Sequence, residues 1–147
     1  MNSQELRERT KQFAPRVMRL VDALPRTPKG NALSSQLVRS GMSVAANYRA
    51  ACRGRSRAEF IAKIGVVEEE ADETALWLEL IVADELLSKK KVQSLLDEAN
   101  ELVAIMAASY ISAKKNAVRN GAPPAQKSAI RNQQSEINNQ EYDHGLN

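Results

Sequence analysis

Residues 36–60, QLVRSGMSVAANYRAACRGRSRAEF, constrain the fold more than any other stretch. Leu33, Leu37, Val44 and Tyr48 recur at spacings of four, seven and four, which is one face of an α-helix. Ser40, Gly41, Ala45 and Ala51 fill the gaps on or beside that face. Small side chains there let a second helix approach closely. Gly41 costs about 1 kcal/mol in helix propensity against Ala, and close packing offsets a cost of that kind. The helix has to end near Cys52 or Arg53, because Gly54 suits a helix C-terminus. Ser56, with Glu59 three positions on, is a capping-box signature for the start of the next helix.

The rest of the chain repeats this pattern. Phe13, Val17, Leu20, Val21 and Leu24 form the stripe of a first helix from Ser3 to Leu24, ahead of Pro25. Pro15 removes a backbone donor and crowds the preceding turn, so a kink, or a frayed segment before it, is expected there. Residues 25–30 read as a loop, and the second helix as running from Asn31 to Arg53. A third helix spans Ser56 to Leu87, with Phe60, Ile64, Val67, Ala71, Leu78, Ile81 and Val82 along one side. Trp77 lies beside that stripe, placed to cover the bundle edge or to sit in a subunit contact. Ser88 to Lys91 reads as a basic turn, and Val92 to Ala117 as a fourth helix with Leu95, Ala99, Leu102, Met106 and Tyr110 on its inner face. Long amphipathic helices with short connections favour antiparallel neighbours. The expected fold is therefore all-α, an up-down-up-down antiparallel four-helix bundle over residues 1–117. Residues 118–147 are rich in Asn, Gln, Gly and Pro with few large apolar side chains, which predicts a disordered polar tail.

Composition narrows the functional classes. At 147 residues the chain is one domain by the usual prior, and a net charge of +3 is only mildly basic. A single Cys excludes an internal disulfide and fits a reducing cytosol. The N-terminal stretch MNSQELRERTKQ has no apolar core of a signal peptide, and no apolar run is long enough to span a bilayer. A soluble, cytoplasmic protein that makes no membrane contact is expected.

The charges are segregated. Between Gln36 and Lys63 the basic residues are Arg39, Arg49, Arg53, Arg55, Arg57 and Lys63, against Glu59 alone. From Ile64 to Glu85 the chain carries Glu68, Glu69, Glu70, Asp72, Glu73, Glu79, Asp84 and Glu85, with no Lys or Arg. Either the two regions neutralise each other, within or between subunits, which is the ordinary fate of a charge run. Or the basic end stays free and binds phosphate.

Catalytic chemistry finds little support. The only His is His144, in the expected tail, so neither a Glu-x-x-His di-iron bundle site nor a Cys–His nucleophile built on Cys52 can form. Cys52 reads as a small buried hydrophobe. One enzymatic pattern survives. Glu70 with Glu73, and Glu98 with Glu101, place carboxylate pairs one turn apart on the third and fourth helices, and all-α nucleotide pyrophosphohydrolases hold Mg²⁺ with such pairs. The competing reading is that these are ordinary surface carboxylates, since helical i,i+3 pairs arise by chance.

Gln36-Leu37-x-Arg39-Ser40, Ser43-Val44, Ala46-Asn47 and Arg55-Ser56-x-x-Glu59-Phe60 together resemble the signature of the bacterial four helix bundle proteins. That group includes the proteins encoded in intervening sequences of large-subunit ribosomal RNA genes and the accessory variability determinant of diversity-generating retroelements. The resemblance covers about Gln12 to Lys115. Many members carry Ile-Ala-Glu-Gly after the Asn, whereas Tyr48-Arg49-Ala50-Ala51-Cys52 stands here, so any role of that Glu does not transfer. The resemblance implies a ring-shaped homopentamer and, through the retroelement relative, association with RNA and a reverse transcriptase.

The leading expectation is a non-enzymatic, self-assembling protein without metal or cofactor. Its basic surface binds RNA or DNA, or a nucleic-acid-processing enzyme, through Arg49, Arg53, Arg55 and Arg57. Arg39 and Lys63 read as structural ion pairs, and Ser43 and Asn47 as packing or interface hydrogen-bonding groups. The alternatives are a purely structural or protein-interaction oligomer and a Mg²⁺-dependent nucleotide hydrolase.

Overall fold

The computed structural model describes residues 1–121, which form four α-helices: α1 Ser3–Asp22, α2 Pro28–Cys52, α3 Arg57–Ala83 and α4 Lys89–Arg119. Among the described residues there is no strand. The helices run up-down-up-down, each packed on its neighbours in sequence, and α1 meets α4 most sparsely. The expected all-α bundle is the fold observed. The fourth helix passes the expected boundary at residue 117 and ends at Arg119, and the remainder of the expected tail lies outside the described residues.

Side-chain caps define the starts of all four helices. Asn2, Thr27, Ser56 and Ser88 each accept a hydrogen bond from a backbone N–H in the first turn, satisfying a donor that has no partner within the helix. These caps move two expected boundaries. Thr27 starts α2 at Pro28, inside the expected loop, because proline is pre-organised for the first helical position. Ser88 starts α4 at Lys89, so the expected basic turn is the helix's first turn.

The helix α1 runs unbroken across Pro15. Pro15 and Lys11 are both exposed, so the carbonyl freed by the proline faces the solvent side. The segment before the proline is docked by buried Leu6 and Thr10 rather than frayed.

The helix α3 ends earlier than its stripe suggests. The Glu85 N–H donates to the carbonyl of Val82 and the Leu86 N–H to that of Ile81, the pair of bonds that closes a Schellman motif. This requires a left-handed residue, and Glu85 adopts it with φ 57° in place of the usual glycine.

The core is aliphatic. Leu37 and Val44 of α2, Val17 of α1, Ile64, Val67 and Leu78 of α3, and Leu102 and Met106 of α4 are fully buried. The expected stripes are therefore the faces that pack. Ile61, Ala75 and Thr74 extend the buried side of α3 beyond the expected positions. Trp77 is half-buried against this core, with its indole N–H buried and without an acceptor among the described residues.

Small residues set the helix spacing. A Cβ on Gly41 would stand 3.0 Å from the Val17 side chain, so α1 and α2 approach closely enough there that an alanine would require Val17 to shift by a few tenths of an ångström. Next to it, buried Ser40 shares a 2.8 Å hydrogen bond with Thr74, fastening α2 to α3. A Cβ on Gly30 would run into the carbonyl oxygen of Pro25, which lies against the first turn of α2.

Two arginine clamps join helices that are distant in sequence. Arg9 of α1 bonds Glu98 at 2.6 Å and Glu101 at 2.7 Å on α4. Arg39 of α2 bonds Glu73 at 2.7 Å and buried Glu70 at 3.3 Å on α3. Hydrogen bonds that the guanidinium groups donate to the carboxylates, together with the carboxylate charge, hold both in the charged form against the desolvation that accompanies their partial burial.

These features carry three stability expectations, each measured by urea unfolding with an unchanged m-value. Glu85→Gly relieves the left-handed backbone and raises stability by about 0.5–1 kcal/mol. Gly30→Ala forces Pro25 away and lowers stability by about 1–3 kcal/mol, although alanine is the better helix former. Arg39→Ala withdraws the guanidinium from buried Glu70 and costs about 1–3 kcal/mol, and adding Glu70→Gln recovers part of the loss.

Candidate nucleic-acid interface

The junction between α2 and α3 is built by local hydrogen bonds that leave the arginine side chains free. Gly54 follows the end of α2, and its N–H bonds the Ala51 carbonyl at 3.2 Å. Ser56 accepts from the Glu59 N–H at 3.1 Å, as the capping signature requires. The Glu59 carboxylate reaches back to the Arg55 backbone N–H at 2.7 Å. The one acidic side chain of this segment is thus engaged by the backbone rather than by a guanidinium.

Arg49, Arg53, Arg55 and Arg57 are all exposed, and among the described residues none of them makes an ion pair. The α3 glutamates do not seal this corner from within the protomer, and two of them are taken by Arg39 instead. The Arg39 ion pair expected from the sequence is present. Lys63 differs from its expected role. It is exposed, makes no ion pair among the described residues, and lines a groove of about 540 Å³ with Arg53, Arg55 and Glu59.

The four arginines do not form one patch. Arg57 borders a separate groove of about 570 Å³ at the end of the bundle, beside Cys52, Phe60, Ala113 and Asn116. Arg49 faces a third groove, about 590 Å³ between α1 and α2, with Arg7, Lys11, Met18 and Met42. Sequence reasoning also missed cations that the topology delivers to this end. The groove at Arg57 is lined by α4, so the last turns of α4 bring Lys114, Lys115 and Arg119 alongside. Lys114 lies over the Tyr110 ring, 5.4 Å from its centre. The up-down order of the helices was the available signal, since it places the end of the fourth helix beside the end of the second.

The remaining candidates have local roles. The Asn47 amide donates to the Ser43 carbonyl at 2.9 Å and to the Ser43 hydroxyl at 2.8 Å, one turn back along α2. Cys52 is a free thiol packed against the core, next to Tyr48. Burial first, and the neighbouring Cys52 second, push the Tyr48 hydroxyl well above its usual range, so it stays protonated.

The carboxylate pairs that suggested Mg²⁺ are held by the two arginine clamps. Among the described residues no three His, Cys, Asp or Glu side chains gather as metal ligands, so Glu70, Glu73, Glu98 and Glu101 are not brought together. No helix of the described residues is long and apolar enough to cross a membrane.

Residues 2–108 match the family model described as 23S rRNA-intervening sequence protein. No curated protein matches the chain. Among solved structures, the chain is similar to a protein from Bacteroides thetaiotaomicron VPI-5482, described as having unknown function and coming from the S23 ribosomal protein family. The two are 31% identical with a TM-score of 0.67, over 71% of this chain and 97% of that one. With that family model spanning most of the bundle, the chain belongs to the 23S rRNA-intervening sequence protein family.

Proposed function

We propose that this protein is a non-enzymatic, self-assembling cytoplasmic bundle whose arginine-rich end binds nucleic acid, or presents nucleic acid to an enzyme that processes it. The observation that carries this reading is the pairing pattern. Arg9 and Arg39 engage four glutamates, while Arg53, Arg55 and Arg57 project from one short junction without a carboxylate partner among the described residues. A cluster of unpaired guanidinium groups attracts a polyanion, and guanidinium geometry suits phosphate oxygens. Lys63, Lys114, Lys115 and Arg119 enlarge the same field. Among the described residues the one aromatic side chain at the junction, Phe60, is largely packed against the core, so the contact reads phosphate rather than bases. A ring of five is the assembly that the family resemblance implies.

Fluorescence anisotropy with a labelled structured RNA, across a salt series, tests the reading. Binding is expected to weaken steeply with salt. The variant Arg53→Ala/Arg55→Ala/Arg57→Ala is expected to lose at least about tenfold in affinity at low salt and to flatten the log–log salt slope by about 2–3, the effect of three lost phosphate contacts. Absence of binding at low salt, or affinity unchanged in the triple variant, overturns it.

A further inference from the structure

We infer that the outer ridge of α3 docks into the α1–α2 groove of a second copy of this chain, head to tail. This deepens the self-assembly half of the proposed function and rests on it.

The ridge is a continuous stripe. Glu69, Asp72, Leu76, Glu79 and Leu80 follow helical spacing on the side of α3 opposite buried Ala71, Ala75 and Leu78. Its centre is apolar, with Leu76 45% and Leu80 42% exposed, and its rim is acidic. Among the described residues, Glu69, Asp72 and Glu79 make no ion pair within the protomer.

The groove has the opposite character. Its floor is apolar, built from alanines with Met18 41% and Met42 48% exposed. Its rim carries Arg7, Lys11 and Arg49, against Glu8 alone, and none of the three cations has an ion pair within the protomer. A helix ridge fits the furrow between two helices by the same interdigitation that packs helices inside a bundle. Matching apolar centres supply contact area, and opposed rims supply register and exclude ridge-to-ridge pairing. Methionines also adapt to a partner's shape.

The two surfaces are different, so each docking leaves a ridge and a groove open, and successive copies close into a ring when the rotation between them allows. Docking also covers Arg49. The phosphate-binding surface of the assembly is then Arg53, Arg55 and Arg57, without the fourth arginine.

Light scattering coupled to size exclusion tests this with two charge reversals of exposed residues, Asp72→Lys/Glu79→Lys on the ridge and Lys11→Glu/Arg49→Glu in the groove. Each variant alone is expected to fall from the wild-type mass to that of one protomer while keeping its helical circular dichroism. Mixed, they are expected to associate again, because each supplies the partner that the other's altered surface needs. If both variants keep the wild-type mass, or if the mixture stays monomeric, the ridge-to-groove contact is wrong. Should a reversal reduce the helical signal, Leu80→Glu on the ridge and Met42→Lys in the groove replace it with the same expected fall in mass, and an unchanged mass overturns the contact. A wild-type protein that is monomeric at every concentration overturns self-assembly itself, whereas an oligomer indifferent to these changes overturns only this interface.

Discussion

The close approach of α2 to both of its neighbours is the constraint on which the rest of the structure depends. At Gly41 the helix lies so near to Val17 that a methyl group would have to displace that side chain, and at Ser40 a buried hydroxyl pair joins it to α3. Interior packing tolerates little misfit, so this contact sets how α1, α2 and α3 face one another. That rotation turns Leu37, Val44 and Tyr48 inward, and it leaves Met42, Arg49 and Arg53 outside. The apolar groove and the arginine junction are both consequences of it.

Charge in this protein is organised by partnership rather than by amount. Among the described residues, eight ionisable side chains take part in ion pairs: Arg9 with Glu98 and Glu101, Arg39 with Glu70 and Glu73, and Lys29 with Asp84. The Arg9 clamp spans the sparsest contact of the bundle, where few apolar groups meet. Such a pair adds orientation where burial is thin, although partly exposed pairs add modest stability. Among the described residues, those left without an ion pair include the cations around the α2–α3 junction and the α1–α2 groove, and Glu69, Asp72 and Glu79 along the outside of α3. A mildly basic chain thereby acquires surfaces of strong and opposite character, which net charge alone would not suggest.

The first turn of α4 runs against a local rule. Lys89, Lys90 and Lys91 occupy the helix end that favours acidic side chains. They stand at the opposite end of the bundle from the arginine junction, so both ends of the bundle carry cations. Departures from local preference cluster at sites where something other than stability is selected. Glu85, in a backbone conformation that glycine adopts more readily, is a second departure on the same connection.

Much of the fold was legible because it is written in interactions between residues a few positions apart. Leu37, Val44, Ile64, Val67, Leu102 and Met106 announce their buried faces by spacing alone, and Ser56 with Glu59 announces the start of α3. The position of the junction arginines at a helix boundary was legible for the same reason, since Gly54 and the cap forbid a continuous helix there, whereas their freedom from carboxylate partners was not. The partners of Glu70, Glu73, Glu98 and Glu101 were not, because Arg39 and Arg9 lie 31 to 92 residues away and reach them only after the helices align. Nor was the division of Arg49 from Arg53 and Arg55 into separate grooves, or the arrival of Lys114 and Arg119 at the same end. Sequence by itself determined four amphipathic helices, the cap at Ser56 and the cationic junction, since periodicity and capping are local chemistry. Tertiary structure alone decided which charges are cancelled and which stay free, since that depends on how each helix is rotated against its neighbours, and close packing at a few small residues sets that rotation.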